Sequence, residues 1–147
     1  MTRDWSAIRH FERSEWGPKP EWVAWELIET LDAVRTEADV PVNIIGSWAE
    51  SGHSEKSFHY TGMAVDIWFG RGPNDERLSP LEQFALLSSR LILGGIGWYP
   101  DWRPVPGWHV DLRNRDPRLL WVRLGGVYHY GWADLIRALT TYSEWMS

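Results

Sequence analysis

From Pro20 onward apolar residues return at near-helical spacing, as Trp22, Val23, Trp25, Leu27, Ile28, Leu31 and Val34, with Glu21, Glu26, Glu29 and Asp32 between them. An apolar stripe of that period predicts an amphipathic helix over residues 20–37. Pro41 then opens Val42-Asn43-Ile44-Ile45, a short strand that stops at Gly46. Residues 47–58 are mostly polar (Ser47, Glu50, Ser51, Gly52, Ser54, Glu55, Lys56, Ser57) and predict a surface loop. At Met63 the period changes to two. Met63, Val65, Ile67 and Phe69 then share one face of a strand, and Ala64, Asp66 and Trp68 share the other. Asp66 is thereby placed among apolar neighbours.

After the loop Gly70 to Arg77, the run Ser79-Pro80-Leu81-Glu82 combines an N-cap serine, a proline at the first helical position and a glutamate at the third. That capping box predicts a helix to about Leu93, ended by Gly94-Gly95. Ile96 to Tyr99 and Trp108 to Leu112 read as two strands joined by a turn rich in proline (Pro100, Pro104, Pro106). His129, in Val127-Tyr128-His129-Tyr130, belongs to a strand or turn, and Trp132 to Trp145 forms a closing helix. Strands and helices do not alternate as a parallel sheet requires. The expected class is therefore α+β, a small antiparallel sheet with flanking helices.

The chain has 147 residues, 44% of them hydrophobic and 24% charged, which predicts one domain over residues 1–147. A domain of this length buries roughly 70% of the surface its unfolded chain exposes, so its core needs no covalent staples. It has no cysteine, so disulfides, thiolate metal sites and cysteine nucleophiles are excluded. Any metal must be held by His, Asp or Glu. No apolar run approaches the ~18 residues of a membrane span, and Met-Thr-Arg-Asp-Trp-Ser shows no apolar core after its charges. The expectation is a soluble monomer made in the cytoplasm without a signal peptide and with no membrane partner. A net charge of −5 argues against a nucleic-acid partner. Within that acidic total, Arg103, Arg113, Arg115, Arg118 and Arg123 cluster locally, as an anionic-ligand site or as a solvated face. Twelve tryptophans either line a groove or fill the core.

Among five histidines, two have informative surroundings. Ser57-Phe58-His59-Tyr60-Thr61-Gly62-Met63-Ala64-Val65-Asp66 puts a histidine just before a glycine turn and an aspartate on the strand that follows. In Trp108-His109-Val110-Asp111-Leu112-Arg113 the period of two sends His109, Asp111 and Arg113 to one face. Two imidazoles and a carboxylate from two strands and a turn can form a three-ligand zinc site with an open fourth position. They can equally be a loop cap and an ordinary strand histidine, and spacing alone leaves both readings open. His53, six residues before His59, falls in the polar loop, where a solvated histidine is the expected state. Trp98, Trp102 and Trp108 flank the proposed site in sequence, either as an aromatic wall for a glycan or peptide or as packing against the proline-rich turn.

At these residues the chain resembles the zinc D-alanyl-D-alanine peptidases, which share a fold with the hedgehog signalling domain. The family pattern Ser-x-His-x-x-Gly-x-Ala-x-Asp is matched at Ser57, His59, Gly62, Ala64 and Asp66. A later His-x-Asp is matched at His109 and Asp111, after Gly95-Ile96-Gly97-Trp98-Tyr99, which looks like the family's Gly-x-Gly-x-Tyr strand. The resemblance runs from about residue 11 to 123. It implies zinc held by His59, Asp66 and His109, and cleavage of a peptide bond in the stems or cross-links of bacterial peptidoglycan.

Two departures bear on mechanism. Many family members carry an Asp or Glu general base three residues before the second histidine, where this chain has Pro106. Asp111 is then the candidate base, or else a group that orients His109. Where the family often shows Ser-Gly-Tyr-Arg, this chain has Gly46-Ser47-Trp48-Ala49, so a substrate-anchoring arginine would have to come from Arg113 or Arg103. Arg113 is also a candidate oxyanion contact. The expected lack of both a signal peptide and a wall-binding module resembles the small lysins that phages release through a partner pore, which implies transfer to the cell wall. The hedgehog likeness keeps a non-catalytic zinc-holding protein as the alternative.

Overall fold

The computed structural model describes residues 3–146, with side chains to residue 142. Six strands, β1 (Val42–Gly46), β2 (Ala64–Phe69), β3 (Gly95–Tyr99), β4 (Gly107–Asp111), β5 (Leu119–Leu124) and β6 (Val127–Tyr130), form one sheet in the order β1-β2-β4-β3-β5-β6. Three helices accompany it: α1 (Trp25–Ala38), α2 (Pro80–Ser88) and α3 (Trp132–Met146). The class is α+β, as expected. The sheet is not wholly antiparallel, because β3 and β5 run parallel while every other pair is antiparallel. The segment of β5 carried no assignment at the level of sequence. Its run Leu119-Leu120-Trp121-Val122 is apolar on both faces and so lacks the alternation that marks a half-buried strand.

Alternation within the other strands sorts side chains to two faces. Val65, Ile67, Phe69, Ile96, Trp98, Trp108, Val110, Leu120 and Val122 enter one core with Leu27, Ile28, Leu31 and Val34 of α1, Phe84 and Leu87 of α2, and Leu135 and Leu139 of α3. Trp98 and Trp108 are thus core residues, and Trp108 Nε1 donates to Gln83 Oε1 at 2.9 Å. Of the two readings the sequence left open for them, packing holds for Trp98 and Trp108. The opposite face carries Asp66, His109, Asp111 and the small residues Ala64, Gly95 and Gly97.

Two helix boundaries differ from expectation. The helix expected over 20–37 is a 3-10 turn at Pro20–Trp22, then a break, then α1. The break arises because the Ala24 N–H donates to Gly62 O at 2.9 Å, a tertiary bond. The helix expected to reach Leu93 ends at Ser88, where the Arg118 guanidinium covers the carbonyls of Ser88 and Arg90 at 2.6 and 2.8 Å. Capping of terminal carbonyls by a distant cation satisfies acceptors that a further turn would otherwise use. Gly95 therefore opens β3 instead of stopping a helix, and Gly94 before it donates to Asp111 O and accepts from the Leu119 N–H. No helix among the described residues is long and apolar enough to cross a membrane.

Candidate metal centre and groove

The first motif is a built turn. Ser57 Oγ accepts from the His59 N–H at 3.2 Å and caps the 3-10 turn Phe58–Thr61, which ends at Gly62 with φ of 72°. A side chain at Gly62 would meet Trp22 O at 1.8 Å, so glycine both permits the left-handed turn and lets it seat against the entry to α1. Ala64 pairs with Asp111 across β2 and β4, where a larger residue would crowd the buried carboxylate. Serine, glycine and alanine thus hold the geometry of His59 and Asp66.

Strand register then lines up Asp66, His109, Gly97, Trp121 and Tyr130 across β2, β4, β3, β5 and β6. Asp66 Oδ1 lies 3.2 Å from His59 Nε2 and 3.1 Å from His109 Nδ1. The far nitrogen of each ring is already engaged. His59 Nδ1 is 2.7 Å from Ser47 O, and a carbonyl only accepts, so Nδ1 carries the proton. His109 Nε2 is 2.7 Å from Asp111 Oδ2 and donates to that carboxylate. In the neutral rings, His59 Nε2 and His109 Nδ1 are therefore lone pairs aimed at an anionic oxygen. Three such acceptors meet favourably only around a cation, either a proton or a metal ion.

The two separations from Asp66 are of the size a zinc site needs, although His109 is not in the group whose ligand atoms all lie within 4.8 Å of one another. Ligand atoms about 2.0–2.1 Å from a tetrahedral zinc stand about 3.3 Å from one another, close to both Asp66 separations. The Asp111–His109 bond supplies the carboxylate partner that usually orients a ligating imidazole. His59, Asp66 and His109 thus fit the implied ion in donor type, tautomer and spacing to Asp66.

Charge accumulates around this trio. Burial would raise Asp66, but hydrogen bonds from His109 and His59 outweigh it and hold the carboxyl at about 2. Burial likewise works against the His109 imidazolium, yet hydrogen bonds to Asp111 and Asp66 leave its pKa above the usual histidine range. Asp111 is also held at about 2, its burial outweighed by Arg113 and His109. Its carboxylate is fully enclosed and saturated: Arg113 N and Nε meet Oδ1 at 3.1 and 2.8 Å, while Arg113 Nη2 and His109 Nε2 share Oδ2. A Cβ at Gly95 would lie 2.5 Å from Asp111 Oδ1 and 2.6 Å from Arg113 Nε, which explains that glycine. At Gly97 it would lie 2.1 Å from the Trp121 indole, which instead lies across the strand with its centroid 5.3 Å from His109.

A groove of about 840 Å³ opens over the trio, lined by His53, Phe58, Tyr99, Trp102, Trp121, Tyr128 and Tyr130 among others. Of Trp98, Trp102 and Trp108, only Trp102 lines it; Trp121 of β5 and Tyr128 and Tyr130 of β6 had no signal in the sequence. The arginine cluster disperses. Arg113 and Arg123 line the groove, Arg118 caps α2, and Arg103 lines a separate cavity, bonded to the carbonyls of Pro100 and Trp102. Arg113 lies between Phe58 and Trp121, its guanidinium carbon 4.8 and 5.3 Å from the two ring centroids.

His53 is exposed and in the loop, as expected, but its ring stacks on His59 with centroids 4.0 Å apart. Among the described residues, His53, His59 and Asp66 offer ligand atoms all within 4.8 Å of one another. Burial and the neighbouring His59 lower the His53 pKa. The one signal for it in the sequence was its distance of six residues from His59. No family model, curated protein or solved structure matches the chain.

Proposed function

We infer that the protein is a zinc metallopeptidase acting on a peptide bond of bacterial peptidoglycan, with His59, Asp66 and His109 as the metal ligands. The observation that carries this reading is the tautomer arrangement: Ser47 O and Asp111 take the outer protons of two imidazoles whose inner nitrogens meet at Asp66. Its peptidoglycan specificity rests on the resemblance of the two motifs to the D-alanyl-D-alanine peptidases. Bound there, zinc would acidify water and polarise a substrate carbonyl.

The chain's own residues prepare that chemistry. Asp111 orients His109 and keeps its Nε2 protonated, and with every carboxylate oxygen engaged it acts by positioning rather than as a base. Arg113 fixes Asp111 through Nε and Nη2, leaving Nη1 to contact a substrate carboxylate or oxyanion in the groove. Phe58, Trp121, Tyr99 and Trp102 give an extended substrate apolar surface beside the ligands. Release through a phage-type pore and residence at the wall belong to the same proposal.

One observation favours the alternative, a zinc-holding protein without catalysis. Asp66 is the only carboxylate among the described groove-lining residues, so no second one stands free to take a proton. Incubation with purified peptidoglycan and mass spectrometry of the released fragments decides between them. New amino termini within stem or cross-link peptides support the peptidase; intact peptidoglycan with bound zinc-loaded protein supports the alternative.

A further inference from the structure

His53 is held more firmly than a solvated loop residue requires. Its backbone N–H donates to Tyr60 Oη at 2.9 Å, and the same hydroxyl donates to His53 O at 2.6 Å. Tyr60 directly follows His59, so this two-point clamp ties the loop to the turn that carries a metal ligand. The consequence is positional: the His53 ring stacks on that of His59, within 15°, and a His53 nitrogen falls in the set within 4.8 Å of His59 and Asp66, a set without His109, so the His53 ring must turn out of the stack to share one ion with His59. The ring lines the groove and is otherwise exposed.

We propose that His53 is a fourth, displaceable metal ligand, carried on the loop and held over the centre by Tyr60. The proposal rests on the metal-centre reading of His59, Asp66 and His109. Its chemistry follows from coordination number. Four protein ligands make a closed tetrahedral site of the structural kind, whereas three leave a position for substrate or water. With His53 engaged the centre is closed. A substrate entering the groove must displace the ring, so the loop over residues 47–58 governs access to the metal.

The test titrates full-length, metal-free protein with Co²⁺ and then Zn²⁺, comparing wild type with His53→Ala, Tyr60→Phe and His59→Ala. His53→Ala changes an exposed side chain, and circular dichroism verifies its fold. The proposal expects the strong visible absorption of four-coordinate cobalt in wild type and a weaker, shifted band in His53→Ala. Zinc affinity in that variant falls on the order of tenfold or more and is partly restored by free imidazole. Tyr60→Phe, which keeps the ring but lacks the clamp, falls in between. Identical affinity and identical cobalt spectra in wild type and His53→Ala overturn the proposal while leaving the three-ligand centre standing, provided His59→Ala abolishes binding. Wild type that binds neither ion overturns both.

Discussion

His109 Nε2 donates to Asp111 Oδ2 at 2.7 Å while the Arg113 guanidinium grips the same carboxylate from the other side. This relay at the end of β4 connects a groove-lining cation to the tautomer of His109, a ligand in the proposed metal centre. Asp111→Asn keeps the size of the side chain and removes its charge. Zinc affinity is expected to fall roughly ten- to a hundredfold, with excess zinc restoring peptidase activity. Full zinc retention together with a rate loss on the order of a hundredfold would instead return Asp111 to the role of base.

Metal content tests the trio directly. Purified protein is expected to hold about one zinc per chain, and a folded His59→Ala, His109→Ala double variant to hold none after dialysis. Unchanged zinc content in that variant would remove both histidines from the site.

Acidity should act in opposite directions on the two forms of the protein. In metal-free protein the raised pKa of His109 contributes stability that is fully present below its unfolded value of 6.5 and is lost as pH rises through its folded value. Asp66 and Asp111, both held at about 2, stay charged throughout that range. Stability with chelator should therefore decline as pH rises above about 6.5. Zinc-loaded protein needs neutral imidazoles and should lose metal as pH falls below roughly 6. Urea midpoints measured with chelator and with zinc provide the check; a metal-free midpoint that is flat over this range would contradict a protonated His109.

Gly97→Ala tests the packing beneath the site. A Cβ there meets the Trp121 ring, which must move and strain its Nε1 bond to Tyr99 Oη, now 3.0 Å long. The expected cost is about 1–3 kcal/mol, read as a lower urea midpoint, together with altered tryptophan fluorescence. A variant as stable as wild type would show that the indole does not need to lie across β3.

The element most readable in the sequence was β2. Its period of two follows from pleat geometry, so Asp66 could be assigned to the face away from Val65 and Ile67 without any knowledge of its neighbours. The capping box of α2 was legible for a similar reason, since Ser79 and Glu82 bond each other's backbone within one turn. The end of the same helix was not legible, because Arg118, thirty residues from Ser88, decides it. Nor was β5, whose strand state depends on a parallel partner in β3.

The chemistry of the site divides along the same line. Residue identity and local spacing determined which donors exist, that they must be nitrogen and oxygen, and that His109 and Asp111 share a face. Those properties depend on bond geometry over a few residues. Tertiary structure alone decided that Asp66 lies opposite His109, that Ser47 O selects the tautomer of His59, that Asp111 has no free oxygen, and that His53 stands over His59. Each of these depends on strand register or loop closure. Such contacts form between segments distant in the chain, where the balance of core burial and backbone pairing over the whole sheet sets the distance.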